Sequence, residues 1–207
     1  MAGLPPDPRL EIVVADGAGD SRLDRLAAVR GDVHVVRSRP GRGAQMNAGA
    51  GASTAPWLVF VHADSRMPPG WLDHFESCPS DLVGGWFAFA LDDDAWQARV
   101  IERGVHWRVR LLRLPYGDQG LFARRDVFTR MSGYRDLPLM EDVEFVRRLR
   151  REGRCLEIPL RLATSSRRWR VDGWFRRSTQ NLALVALYFA GVSPATLARW
   201  YYGHHPR

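Results

Sequence analysis

Residues 57–64 read Trp-Leu-Val-Phe-Val-His-Ala-Asp, an apolar run that ends on an imidazole and a carboxylate. Alternate strand residues share a face, so His62 and Asp64 can aim at one ligand beyond the strand's carboxyl end. Such a pair suits a divalent cation that clamps a diphosphate. It also suits a plain strand cap leading into the turn at Pro68-Pro69. A pair of acids, Glu141-Asp142, follows the apolar loop 137–140 and opens a segment ending in arginines. Acids first and bases last compensate a helix dipole, and the same acids can stand at the ligand edge of a sheet. Asp16 heads a loop of small residues and acids, 16–20, after a strand candidate. That composition fits either an ordinary turn or a ligand-facing loop.

The cations lie in two places. Arg42 belongs to the loop Arg-Pro-Gly-Arg-Gly at 39–43, ahead of a helix start rich in Ala and Gly. Helix amides plus a guanidinium can hold a phosphate or pack a ribose. The loop lacks the Gly-Lys-Ser/Thr of a phosphate loop and is not the dinucleotide fingerprint. The second place is Thr-Ser-Ser-Arg-Arg-Trp-Arg at 164–170, suited to phosphate contact or to a solvated loop anchored by Trp169. Three consecutive acids, Asp92-Asp93-Asp94, read as a solvated loop and helix cap.

Strands and helices must position these groups. The runs 10–15, 33–36, 57–61, 82–91, 121–123 and 154–158 have strand character; 21–29, 69–77, 95–113, 125–131 and the segment from 141 have helix character. Alternation of this kind predicts right-handed βαβ units and a mostly parallel α/β sheet buried on both faces. Gly84-Gly85 predicts a close backbone approach. Residues 1–9 are Pro-rich and irregular in pattern, and 174–202 read as two helices broken near Pro194.

A chain of 207 residues with 45% apolar content predicts one domain with an ordinary core. The formal charge is +7, and every one of the 30 basic residues is arginine. The arginines are scattered, which argues against nucleic acid as a partner. Cys78 and Cys155 stand far apart and suggest neither a disulfide scaffold nor zinc. The N-terminus has no signal-peptide pattern. The apolar run 182–192 is about half the length of a membrane span. The expectation is a cytoplasmic protein, with peripheral contact at the inner face of the cell membrane left open by the aromatic C-terminal helices.

Taken in order, these pieces resemble the inverting family 2 glycosyltransferases of the GT-A fold, a Rossmann-like nucleotide-diphospho-sugar transferase architecture. The matching stretches are VVADGAGD, GRGAQMNAGA, LVFVHADSRMPPG, PYGDQGLFARRDVF, GYRDLPLMEDVEFVRRLR and SSRRW, over roughly residues 10–200. The resemblance implies a nucleotide-sugar half at 10–65, an acceptor half at 82–170 and C-terminal helices at 172–203. It implies that Asp64 binds Mg²⁺ or Mn²⁺ on the diphosphate of a nucleoside-diphosphate sugar. His62 stands where the family has a first Asp, and contacts ribose or metal. Asp16, Arg42 and Gly43 would meet the nucleoside, and Arg167, Arg168 and Trp169 would close over the diphosphate. Asp142 would be the general base beside Glu141, with Gln119 and Gly120 on the acceptor side. The acceptor itself is unidentified, and the apolar C-terminal helices hint at a lipid-like one.

The family pattern also has a strand ahead of 10–15, which MAGLPPDPR cannot supply. Either the true start lies upstream or the chain is a truncated relative; the alternative expectation is then a non-catalytic protein that binds a nucleotide sugar, a partner or a membrane surface without turnover.

Overall fold

The structure, a computed structural model, describes residues 6–203. The first half runs β1 (Ile12–Asp16), α1 (Ser21–Val29), β2 (Val33–Arg37), α2 (Arg42–Ala52), β3 (Trp57–Phe60), β4 (Ser65–Arg66) and α3 (Asp73–Glu76). It continues with β5 (Leu82–Leu91) and the long α4 (Trp96–Leu112). A 3₁₀ turn, Gly117–Gln119, leads into β6 (Leu121–Arg124) and α5 (Arg125–Arg130). Then come α6 (Glu141–Glu152), β7 (Arg154–Thr164), α7 (Arg167–Asp172), α8 (Trp174–Phe189) and α9 (Pro194–Gly203). The Pro-rich pattern at 1–9 falls partly outside the described residues.

The α/β layering forms as the sequence predicts, with strand directions that correct the parallel expectation. β1 and β2 pair in parallel as a two-stranded sheet. The other five strands form a mixed sheet in the order β3-β6-β5-β7-β4. Only β5 and β7 are parallel there; β3, β6 and β4 each pair antiparallel. The reversal enters at β6. It follows a 17-residue helix and a turn, and slots in backwards between β3 and β5.

β3 is covered on both faces, which explains its unbroken apolar run. Leu58 and Phe60 pack with Phe128, Tyr134 and Phe145. Trp57 and Val59 pack with the cluster around Trp71, Phe87 and Phe122. The glycine pair in β5 meets its expectation. A Cβ at Gly84 would lie 2.4 Å from the Phe122 carbonyl oxygen, and one at Gly85 2.0 Å from that of Leu156. Two elements differ in length from the sequence reading. The helix expected at 69–77 shrinks to Asp73–Glu76, because Pro68, Pro69 and Gly70 first turn the chain. β7 runs on past Pro159 to Thr164, because a register shift opposite Phe87 and Ala88 bulges the proline out of the ladder.

Two features set the site. α2 and β3 bring Arg42 and His62 to the carboxyl end of the sheet, where α6 begins. The helices α8 and α9 then pack Leu184, Val185, Leu197 and Ala198 onto Leu139, Met140 and Val143. That contact seats the C-terminal helices directly over the start of α6.

Candidate active site

A cavity of about 360 Å³ opens between the strand ends and the C-terminal helices. Arg42, His62 and Asp64 line it from the first half of the chain. Tyr116, Asp118, Asp142 and Thr164 line it from the second, and Arg168 and Trp169 from α7. The helices α8 and α9 add Arg177, Asn181, Leu184, Tyr201 and Tyr202.

Asp142 is held by backbone. Its Oδ2 accepts the Gly117 amide at 2.7 Å and its Oδ1 accepts the Val143 amide at 2.8 Å. Each amide takes one lone pair, so the carboxylate is oriented and keeps acceptor capacity. The preceding Met140 adopts a left-handed conformation, φ +67°, rare for a residue with a side chain. This turn places Glu141 and Asp142 at the very head of α6.

Arg42 ties the cluster together. Its Nη2 lies 2.8 Å from Nε2 of His62. A guanidinium only donates, so His62 accepts at Nε2 and carries its proton on Nδ1. Burial and the Arg42 charge push His62 down to about 4, so the ring is neutral at pH 7. Arg42 Nε stands 3.0 Å from Glu141 Oε1 without hydrogen-bond alignment, an ionic contact. Glu141 is buried; that burial pushes its carboxyl up to about 7, against the pull of Arg42.

Gly117 sits at the meeting point. A Cβ there would be 3.0 Å from Arg42 Nη2, 3.2 Å from His62 Nε2 and 3.3 Å from Asp142 Oδ2. Gly117→Ala is therefore expected to displace all three groups by tenths of an ångström. Transfer activity should fall about 10- to 100-fold with little change in melting temperature. Unchanged kcat/KM in the alanine variant would show that this packing does not matter.

Several polar atoms at the cavity are buried without a hydrogen-bond partner: the Tyr116 hydroxyl, Asp118 Oδ1 and Arg177 Nε. Arg177 is pinned by Asp172 at 2.5 Å and by the Tyr201 hydroxyl at 3.1 Å, with the Trp169 ring beneath. Tyr116 lies under the Arg108 guanidinium, 3.4 Å from its ring centre. Orphaned polar atoms cost free energy unless a ligand or water meets them. They therefore point to a polar guest.

Burial raises Asp118 from the ordinary 3.8 to about 6, opposed by Arg108. A raised carboxyl contributes stability that is present below about pH 4 and is lost as pH climbs through 6. Two pKa units correspond to about 3 kcal/mol. Asp118→Asn should thus gain up to that amount on the wild type between pH 4 and pH 8, read by urea unfolding at both. A pH-independent difference between the two proteins would contradict this.

Arg42, His62, Asp64, Asp142, Arg168 and Trp169 meet at the cavity, with Glu141 against Arg42 behind it. Arg167 is exposed and does not line it. Asp16 does not reach it either. Its oxygens accept the amides of Ala18, Gly19 and Asp20 and an Arg37 guanidinium, so they hold their own loop. Gly43 packs α2 against the chain; a Cβ there would be 2.8 Å from the Arg135 carbonyl oxygen. Gln119 is buried with its amide spent on Phe87, Tyr116 and Arg108. Gly120, at φ +60°, packs beside Leu162 and Phe87. The cavity-facing residue of that loop is Asp118, between Gly117 and Gln119 in the quoted motif. The acids at 92–94 are not merely solvated: Asp92 accepts the Ser166 amide at 2.6 Å and Asp93 the Arg170 guanidinium at 2.6 Å, which anchors α7.

The Asp64 carboxylate has no hydrogen-bond or ion-pair partner among the described residues and faces the cavity. No cluster of three or more potential ligands occurs among the described residues. A cation on Asp64 would need its remaining ligands from a bound diphosphate and water.

The sequence matches glycosyl transferase family 2 over residues 3–135. The chain belongs to this family. No curated protein sequence matches it. Among solved structures, the chain is similar to the mannosyltransferase PcManGT from Pyrobaculum calidifontis, solved with GDP-Man and Mn²⁺. Identity is 18% and the TM-score 0.57, over 96% of this chain and 62% of that one. The glucosyl-3-phosphoglycerate synthase from Mycobacterium tuberculosis, solved with phosphoglyceric acid, is 17% identical with a TM-score of 0.49, over 82% of this chain and 66% of that one. The chain thus spans less than two thirds of the length of these structures. The mannosyltransferase likeness establishes a shared GT-A fold.

Proposed function

We propose that this chain moves a sugar from a nucleoside-diphosphate sugar to an acceptor hydroxyl with inversion, using Asp142 as general base. What carries the reading is the placement of Asp142: a carboxylate fixed by two backbone amides on the wall of a cavity whose other walls bear Asp64 and Arg168. In this scheme the acceptor oxygen bonds to the anomeric carbon as the bond to the diphosphate oxygen breaks. The hydroxyl proton passes to Asp142, and the nucleoside diphosphate departs. Proton abstraction by a placed carboxylate needs no covalent intermediate.

The rest of the cluster supports that step. Arg42 and the neutral His62 form a fixed, hydrogen-bonded wall beside Asp142. Arg168 adds positive charge for the leaving diphosphate, where preorganised charge is most effective. A divalent cation, Mg²⁺ or Mn²⁺, held by Asp64 would neutralise charge on the same diphosphate. Leu184, Val185 and the Tyr201 and Tyr202 rings give the opposite wall an apolar part beside the polar Arg177 and Asn181. That wall suits an acceptor with an apolar or lipid-like body, while the orphaned Tyr116 and Asp118 atoms meet its polar end.

The test is release of nucleoside diphosphate from UDP- and GDP-hexoses, with Mg²⁺ or Mn²⁺, by wild type and Asp142→Asn. Metal-stimulated release that the asparagine variant loses supports the reading. A folded wild type that binds a donor but releases nothing, with or without acceptors, would favour the non-catalytic alternative instead.

A further inference from the structure

The outer face of the α4–α8 pair carries an apolar surface that the active-site reading does not use. α8 has no charged residue from Ser178 to its end at Phe189. Its inner face buries Leu184 and Val185, yet its outer face is apolar too. Phe175, Leu182 and Phe189 are 48%, 54% and 50% exposed there. On α4, Trp96, Trp107 and Leu111 are 64%, 57% and 72% exposed. The two helices pack together, and the Trp96 and Phe175 rings meet at 5.9 Å. With Val100, Leu112 and Leu187, nine large apolar side chains stand in water on these two neighbouring helices, more than the scatter normal for a soluble surface.

Cations frame this surface. Arg103 and Arg110 on α4 and Arg176 on α8 are exposed, and Arg147 lies 5.2 Å over the Phe189 ring. α8 and α9 contain no acid, and the single acid of α4, Glu102, is already paired with Arg99 and Arg161.

We propose that the α4–α8 face docks on an anionic lipid surface. Tryptophan, phenylalanine and leucine enter the headgroup boundary while the arginines meet lipid phosphates. A second copy of the chain fits less well, because it would bring the same unpaired arginines against this excess and no acid to match them. No helix among the described residues is long and apolar enough to cross a membrane, so the face lies on the bilayer rather than in it. The inner side of α8 walls the cavity, so docking sets the cavity beside the lipid. The docking itself does not depend on glycosyl transfer.

Flotation with vesicles tests this without any turnover readout. The purified chain should float with phosphatidylcholine vesicles containing phosphatidylglycerol, but not with phosphatidylcholine alone, and raised salt should weaken the binding. Leu182→Asp with Phe189→Asp should reduce binding about tenfold or more. Arg103→Glu with Arg110→Glu, which touches no apolar contact, should do the same if the first variant proves unstable. No flotation of the wild type would overturn the proposal, as would equal flotation of folded variants. So would a wild-type dimer that the aspartate variant dissolves.

Discussion

Asp142→Asn is expected to lower kcat about 10²- to 10⁴-fold, the range a positioned general base supplies. Nucleotide affinity should stay unchanged, because in the proposed reading Asp142 serves the acceptor side. The asparagine oxygen can still accept one of the two amides from Gly117 and Val143, so the fold survives. Steady-state kinetics with saturating donor separates the two quantities. A fall in affinity with kcat intact would move Asp142 from base to donor ligand.

Removing Arg42 is expected to lower stability in a pH-dependent way. Glu141 is 1% exposed and Arg42 is its ionic neighbour. Deleting one partner of a fully buried pair costs about 3–5 kcal/mol. The Arg42 side chain is 40% exposed, so Arg42→Ala should cost less, about 2–3 kcal/mol at pH 8. The sign with pH follows from Glu141, whose carboxyl sits at about 7 with Arg42 in place and higher without it. Below that value the carboxyl is neutral and needs no cation, so the loss should shrink at pH 5. Adding Glu141→Gln should recover much of it. Urea unfolding of the single and double variants at both pH values checks the pattern. An equal loss at both pH values would mean that Arg42 stabilises by packing alone. His62 loses its donor in the same variant, so activity should fall with stability.

The order of elements was legible because it rests on local pattern. The helix at 21–29, the strand at 82–91 and the break before Pro194 all announce themselves by periodicity, capping or proline. The cores of the HAD, Glu-Asp and Arg-Arg-Trp motifs were legible as well, since strand ends and helix starts gather at one sheet edge. What stayed hidden depends on contacts far along the chain. Nothing local says that Asp16 spends both oxygens on its own loop and Arg37. In the run Gly117–Gly120 nothing local says which side chain faces the cavity. Asp118 does, and the neighbouring Gln119 is consumed by Phe87 and Arg108. The strand read at 154–158 runs on past Pro159 because the bulge that tolerates the proline forms only against β5. Arg177 carried no motif; it reaches the cavity only because α8 folds back over α6.

The central claim is that the cavity at His62, Asp64 and Asp142 takes a nucleoside diphosphate. Titration calorimetry of UDP and GDP into the purified chain, with and without Mn²⁺, tests it most directly, using Asp64→Ala as the comparison. The prediction is binding of one nucleotide that Mn²⁺ strengthens, with the metal-dependent part lost in Asp64→Ala. A folded wild type that binds neither nucleotide, or metal-dependent binding that survives Asp64→Ala, would contradict it.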